Sequence, residues 1–184
     1  MSSDVLSTAV GEVVGTAVVD AELPLDDSRA LAALSLIWRE ARLLDAKRYE
    51  EWDTLWAEGG EYVVPIDPES TDFAGSLNLV YDDDRMRRMR IERLTGGFSI
   101  SATAAARTVR TVSRFTVAAR DESGDSIEIR SAQVVVGYKR GETFVLAADL
   151  THCVTFTADG PRIARKVVRL INSEDAVTAS GFLL

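Results

Sequence analysis

A chain of 184 residues with 29 acidic and 21 basic side chains carries a formal net charge of −8. Phosphate binding runs on surplus Lys and Arg, so this balance excludes a general nucleic-acid binder. The size supports one domain with a real core, and the single cysteine, Cys153, excludes an internal disulfide and fits a reducing compartment.

No apolar run approaches the roughly 20 residues that span a bilayer. The N-terminus has Asp4 and Glu12 but no early Lys or Arg, unlike a secretory signal. The expected location is cytoplasmic, with no membrane partner. Residues 1–28 are small, weakly apolar and without clear period, which predicts a flexible or loosely docked arm; residues 29–184 then form a single domain. Asp26, Asp27 and Ser28 offer capping oxygens to a helix starting near Arg29, and their charge suits its positive end.

Residues 31–65 organise the chain. Leu31, Leu34, Ile37, Trp38, Ala41 and Leu44 recur at three- and four-residue spacing, predicting one face of an amphipathic helix. Trp52, Leu55 and Trp56 continue the stripe on a shorter second helix, which Gly59-Gly60 is expected to stop. Residues 61–64 read as a strand closed by Pro65. After a loop, residues 76–81 read as a strand. Asp82-Asp83-Asp84 then open a short helix with arginines at 85, 87, 88, 90 and 93, a charge order that matches the helix dipole. Met86, Met89 and Leu94 are its expected buried side. The arginines read as a solvated, self-paired face, with a partner-protein surface at Arg87 and Arg88 as the second option and a phosphate or carboxylate site as the third.

Four long strands follow, over 107–120, 126–139, 143–157 and 162–172, joined by the short turns DESGD, KRGE and ADGP. Short turns rich in Gly, Asp or Pro make neighbouring antiparallel strands. In the third strand Phe144, Leu146, Ala148, Leu150, Val154 and Phe156 share one face, while Asp149, Thr151, Cys153, Thr155 and Thr157 share the other. Helices first and an antiparallel meander afterwards give an α+β fold.

The chemistry is sparse. With one histidine, His152, and one cysteine, a zinc, Rieske or two-histidine iron site cannot be assembled within one chain. The remaining acid–base candidate is Asp149 with His152. Three residues apart on a regular strand, they point to opposite faces unless a bulge intervenes. His152 shares the apolar register, so a packed core histidine is the favoured reading, and Asp149 and Thr151 become interface or solvent residues. Trp38, Tyr49, Trp52, Trp56 and Tyr62 pack a core by default; a curled sheet could instead leave them lining an apolar pocket.

The run EARLLDAKRYEEWDTLWAEGGEYVVP (40–65) resembles the opening of the small (β) subunits of aromatic-ring-hydroxylating dioxygenases. So do Tyr81-Asp82-Asp83 followed by Arg90, Arg93, Leu94, Thr95 and Gly96, the pair Arg107 and Arg110, and the closing KVVRLINS (166–173). The blocks occur in the family's order from about Ala30 onward. Gly59 stands where that family usually has an acid, Ala104-Ala105-Ala106 replace a proline-rich turn, and Ser113 replaces a common asparagine. The resemblance implies a strongly curved antiparallel sheet wrapped around the N-terminal helices, the nuclear-transport-factor-like (cystatin-like) cone. It further implies a homotrimer that supports three large (α) subunits, which hold the Rieske 2Fe-2S cluster, the mononuclear iron and the substrate pocket. This chain would then carry no cofactor, metal or catalytic residue of its own, and its role in aromatic compound catabolism would be structural. The alternative is a free-standing isomerase, dehydratase or polyketide-cyclase-like enzyme with His152, Asp149, Tyr49, Trp52 and Tyr62 around a cavity of the cone.

Overall fold

The computed structural model describes residues 16–24, 26–96, 106–173 and 182–184; the part of the expected arm before Thr16 lies outside them. A strand within the expected arm, β1 (Thr16–Glu22), pairs antiparallel with the first long strand, so the sheet takes in part of what the sequence suggests is a tail. Helix α1 (Ser28–Asp45) follows, capped by the Asp27 carboxylate, which accepts from the N–H groups of Arg29 at 2.8 Å and Ala30 at 3.2 Å. Its buried face is Ala30, Ala33, Leu34, Leu36, Ile37, Glu40, Leu43 and Leu44. Leu31 and Trp38 are exposed, contrary to the stripe read from spacing; Trp38 packs edge-on against Phe115 at 5.9 Å. The buried positions next to them go instead to the small Ala30 and Ala33, both 0% exposed.

Lys47, with φ 56°, takes the left-handed turn that ends α1. Helix α2 is the single short stretch Tyr49–Asp53. Trp56 already begins strand β2 (Trp56–Pro65), so Gly59-Gly60 do not stop a helix. Gly59, at φ 72°, instead sits where the register of β2 slips between Trp56 and Glu61. Glycine pairs serve both purposes because each needs a backbone that L side chains disfavour. Strand β3 (Asn78–Asp82) and helix α3 (Asp84–Thr95), capped by Asp83, come next. The buried residues of α3 are Arg87 and Ile91; Met86 and Met89 are exposed, and Leu94 is half-buried.

The long strands are β4 (Arg107–Asp121), β5 (Ser126–Lys139), β6 (Glu142–Thr157) and β7 (Gly160–Leu170). They lie where the turns and alternation place them. The sheet order is β1-β4-β5-β6-β7-β2-β3. Every pairing is antiparallel except β2 with β7, which run parallel. Bulges interrupt β1, β2, β4 and β7 pairings, including one at Arg114, whose φ is 54°. Bulges bend and overtwist strands, which is how a flat ladder becomes a curved wall. One face of that wall packs on α1 and α2. Between them lie Ile37, Leu44, Trp52, Tyr62, Ile129, Leu150, Ile163 and Leu170, each 2 % exposed or less. Burying a side chain of this size stabilises by about 1.5–3 kcal/mol.

Candidate functional site

The core contains an unexpected cluster of charge. Glu40 lies three residues after Ile37 and four before Leu44, which carries its carboxylate into the core with them. It is 2 % exposed and accepts three hydrogen bonds: from Trp52 Nε1 at 2.9 Å, His152 Nε2 at 2.8 Å and Lys166 Nζ at 3.0 Å. His152 on β6 and Lys166 on β7 stand directly opposite in the ladder, and Tyr62 on β2 is the partner of Lys166 on its other side. Lys166 Nζ also donates to the main-chain oxygen of Leu184 at 2.9 Å. The Tyr62 hydroxyl donates to that oxygen at 3.2 Å and accepts from the Leu184 N–H at 3.0 Å. Arg110 extends the network: it donates to Leu183 O at 2.9 Å and pairs with Asp45 at 2.9 Å. Phe182 stacks on Phe144 at 5.6 Å, and Phe144 in turn fills the space a side chain at Gly137 would need.

Burial alone would raise the Glu40 pKa, but the Lys166 ammonium and the His152 N–H outweigh it and hold the carboxyl below its ordinary range. Burial lowers His152, and Glu40 opposes this only in part. Burial likewise lowers Lys166 against the pull of Glu40. The arrangement at neutral pH is therefore a Glu40–Lys166 ion pair with a neutral imidazole donating from Nε2. Among the described residues the buried His152 Nδ1 has no hydrogen-bond partner. All three groups are at most 2 % exposed, and the Glu40 carboxylate is committed to three internal donors. A general acid or base must reach a substrate proton directly or through one water, which nothing sealed in this way can do. The cluster pins α1, α2, β2, β6, β7 and residues 182–184 to one another.

This arrangement has a pH consequence. In the unfolded chain His152 takes up a proton near pH 6.5, whereas the fold holds its pKa lower. Stability should therefore fall as pH drops below about 6.5, by at most about 1.4 kcal/mol per pH unit for one proton. Glu40, depressed in the fold, adds a second loss that begins below its unfolded pKa of 4.5. We expect a lower Tm at pH 5 than at pH 7, and His152→Gln should flatten that limb. An unchanged slope in the variant would show that other groups set it.

Asp149 and His152 are not brought together. The β5–β6 register runs unbroken past both, and Asp149 faces the other side, exposed and paired with Arg114 at 2.5 Å. Tyr49, Trp52, Trp56 and Tyr62 are packed core. Trp52 lies edge-on to Trp56 at 5.3 Å and to Tyr62 at 5.8 Å, while Trp38 stands apart outside. Arg87, expected on a solvated or partner-facing surface, is buried; Arg88 is exposed. Thr151 is half-buried in a polar groove of about 690 Å³ on the outer sheet face, with Asp149, Arg114, Arg130, Arg165 and Arg169. Burial, helped by Glu128, pushes the Cys153 thiol up to about 12, so it is no nucleophile. Among the described residues no group of three or more His, Cys, Asp or Glu side chains is placed to hold a metal ion, and no helix is long and apolar enough to cross a membrane.

Glu40 and Lys166 are not among the residues that the sequence marks for chemistry, yet the sequence holds a signal for them. Each occupies the apolar register of its own element, as His152 does. Three such exceptions in one chain mark a buried polar cluster.

Comparison with known proteins places this architecture. The chain is 33% identical over 104 residues to the β subunit of benzene 1,2-dioxygenase from Pseudomonas putida, covering 52% of this chain and 55% of that one. It thus spans about half the length of the curated relatives it matches. The fold resembles the β subunit of benzoate 1,2-dioxygenase from Burkholderia mallei, with TM-score 0.66 and 22% identity over 79% of this chain and 91% of that one. It also resembles a chain of naphthalene 1,2-dioxygenase with indole bound in the active site, with TM-score 0.74 and 17% identity over 90% of each. The family model for the ring-hydroxylating β subunit matches residues 39–174, a span that takes in Glu40, His152 and Lys166. With most of its length matched in this way, the chain belongs to the ring-hydroxylating β-subunit family.

Proposed function

We propose that this chain is the non-catalytic β subunit of a multicomponent aromatic-ring-hydroxylating dioxygenase, a homotrimer that supports an iron-containing large (α) subunit in the breakdown of aromatic compounds. The observation that carries the reading is the family match over residues 39–174. The geometry agrees with it, because the one histidine and its partners are sealed into the core and bonded to one another. A Rieske centre takes two cysteines and two histidines, which one Cys and one His cannot supply. The cluster and the mononuclear iron accordingly belong to the large subunit. A free-standing isomerase, dehydratase or cyclase is not favoured, since it needs at least two convergent titratable groups open to a pocket, and Asp149 and His152 lie on opposite faces.

The test is co-expression with the large subunit. The chain should co-purify with an iron-containing partner, and His152→Gln should leave turnover per assembled complex within a few-fold of wild type. The same change should lower stability by about 1–3 kcal/mol through the lost buried hydrogen bond. Removing a general acid or base costs on the order of 10²–10⁴ in rate. A hundredfold drop at unchanged Tm would therefore overturn the structural reading.

A further inference from the structure

Residues 182–184 lie inside the cone although they belong to no strand or helix. Phe182, Leu183 and Leu184 are 5%, 3% and 6% exposed. A buried backbone must find partners for its polar groups, and a strand or helix finds them in its own ladder. Here side chains of the wall supply them. Arg110 on β4 donates to Leu183 O at 2.9 Å, and Lys166 on β7 donates to Leu184 O at 2.9 Å. The Tyr62 hydroxyl on β2 takes both sides of Leu184, donating to its oxygen at 3.2 Å and accepting from its N–H at 3.0 Å. Arg110 and Lys166 already have their own carboxylates, Asp45 and Glu40, so the two carbonyls take up spare N–H donors of the guanidinium and the ammonium. Phe182 has a wall of its own. Phe144 stacks on it at 5.6 Å with the rings 20° apart. Gly137 is the cross-strand partner of Phe144, and a Cβ there would collide with the ring; the bare backbone lets the ring lie where it meets Phe182.

We infer that the interior of the cone is a binding cavity for an extended apolar peptide, and that Phe182-Leu183-Leu184 is the ligand this chain supplies to itself. The recognition has the two parts that peptide sites use: main-chain hydrogen bonds give affinity, and side-chain pockets set the order of residues. An aromatic side chain comes first, against Phe144, and two carbonyls follow at the spacing of Arg110 and Lys166. A segment held by side chains rather than by a ladder can leave without opening the sheet. The inference needs only this chain and is independent of the trimeric reading above.

The full-length chain carrying F182A, L183A and L184A together tests it. These substitutions remove the apolar anchors, so the Tm should fall and the cavity should open. Added acetyl-Phe-Leu-Leu should then bind at a single site per chain by calorimetry and raise the Tm in step with its concentration. Acetyl-Leu-Leu-Phe should do neither, and wild type, already filled, should bind neither peptide. An unchanged Tm in the triple variant would show that the segment does not fill the cavity. A lowered Tm that the peptide does not restore would show that residues 182–184 are core rather than ligand, and either result sinks the proposal. Should the variant not fold alone, it should fold when refolded with acetyl-Phe-Leu-Leu, and failure there counts against the proposal as well. Native-state hydrogen exchange of wild type is an independent check. The Leu184 N–H should exchange through a local opening that denaturant barely affects, ahead of the β6 and β7 amides, which need global unfolding. Exchange of Leu184 in step with those strands would overturn the inference.

Discussion

Lys166→Met should be among the most destabilising single substitutions in the protein, and it should reverse the sign of the pH dependence. The ammonium is 1 % exposed in its side chain and bonds Glu40 and Leu184 O. Methionine fills a similar volume but leaves the Glu40 carboxylate without its cation. Removing one member of a buried ion pair costs about 3–5 kcal/mol, or roughly 6–20 °C in Tm for a chain of this size. The loss will be partly relieved because His152 is already hydrogen-bonded to Glu40 at 2.8 Å. With Lys166 gone the imidazole is, among the described residues, the remaining ionisable donor bonded to Glu40, and its folded pKa should rise above the unfolded 6.5. A raised pKa contributes stability that is present below the unfolded value and lost as pH climbs through the folded one. K166M should therefore melt higher at pH 5.5 than at pH 7.5, opposite to wild type. The double variant Glu40→Leu with Lys166→Met removes both charges and should recover much of the loss, as apolar replacement of a buried pair often does. Thermal melts of the three proteins at two pH values decide this. A K166M protein that still loses stability on acidification would mean that His152 does not compensate.

What was legible in the sequence follows from how local each signal is. Strands β4 to β7 could be placed to within a few residues because alternation and hairpin turns are decided by neighbours in the chain. The face of His152 was legible for the same reason, since parity on an uninterrupted strand fixes direction. Helix α1 is legible from its spacing but the edges of its buried face are not, because Ala30 and Ala33 are buried where Leu31 and Trp38 stay exposed. Spacing alone does not say how wide the buried stripe is or where it is centred. Gly59-Gly60 was ambiguous in principle, as a helix end and a bulge ask the same of glycine. The parallel β2–β7 pairing has no local mark at all, since it joins residues about a hundred positions apart. The buried cluster is the least legible feature of all. A charged residue in an apolar register reads as noise when met singly, and only the tertiary fold shows that Glu40, His152 and Lys166 are one exception made three times.

Arg87 shows the same effect at a second place in the fold, and Arg87→Met should cost about 3 kcal/mol, at the lower end of what breaking a buried pair costs. The side chain is 2 % exposed and satisfies three acceptors: Asp53 at 2.8 Å, Asp84 at 2.6 Å and Gly60 O at 2.8 Å. Its guanidinium also lies 4.2 Å from the centre of the Trp56 ring. These contacts tie α2, the bulge in β2 and the first turn of α3 together. Methionine would keep the packing on Trp56 but lose every polar contact. The value stays near the lower end because Asp53 and Asp84 retain 20% and 25% side-chain exposure, so water can take up the carboxylates, while the Gly60 carbonyl is left buried and unpaired. Arg87→Lys keeps the charge, yet an ammonium cannot fork among three acceptors as a planar guanidinium does, so it should regain less than half of the loss. Arg88, one position on and exposed, is the control: its replacement by Met should change stability by under about 0.5 kcal/mol. Urea melts of the three variants measure all of this. Equal effects at positions 87 and 88 would show that Arg87 spends its time in solvent rather than beneath Trp56.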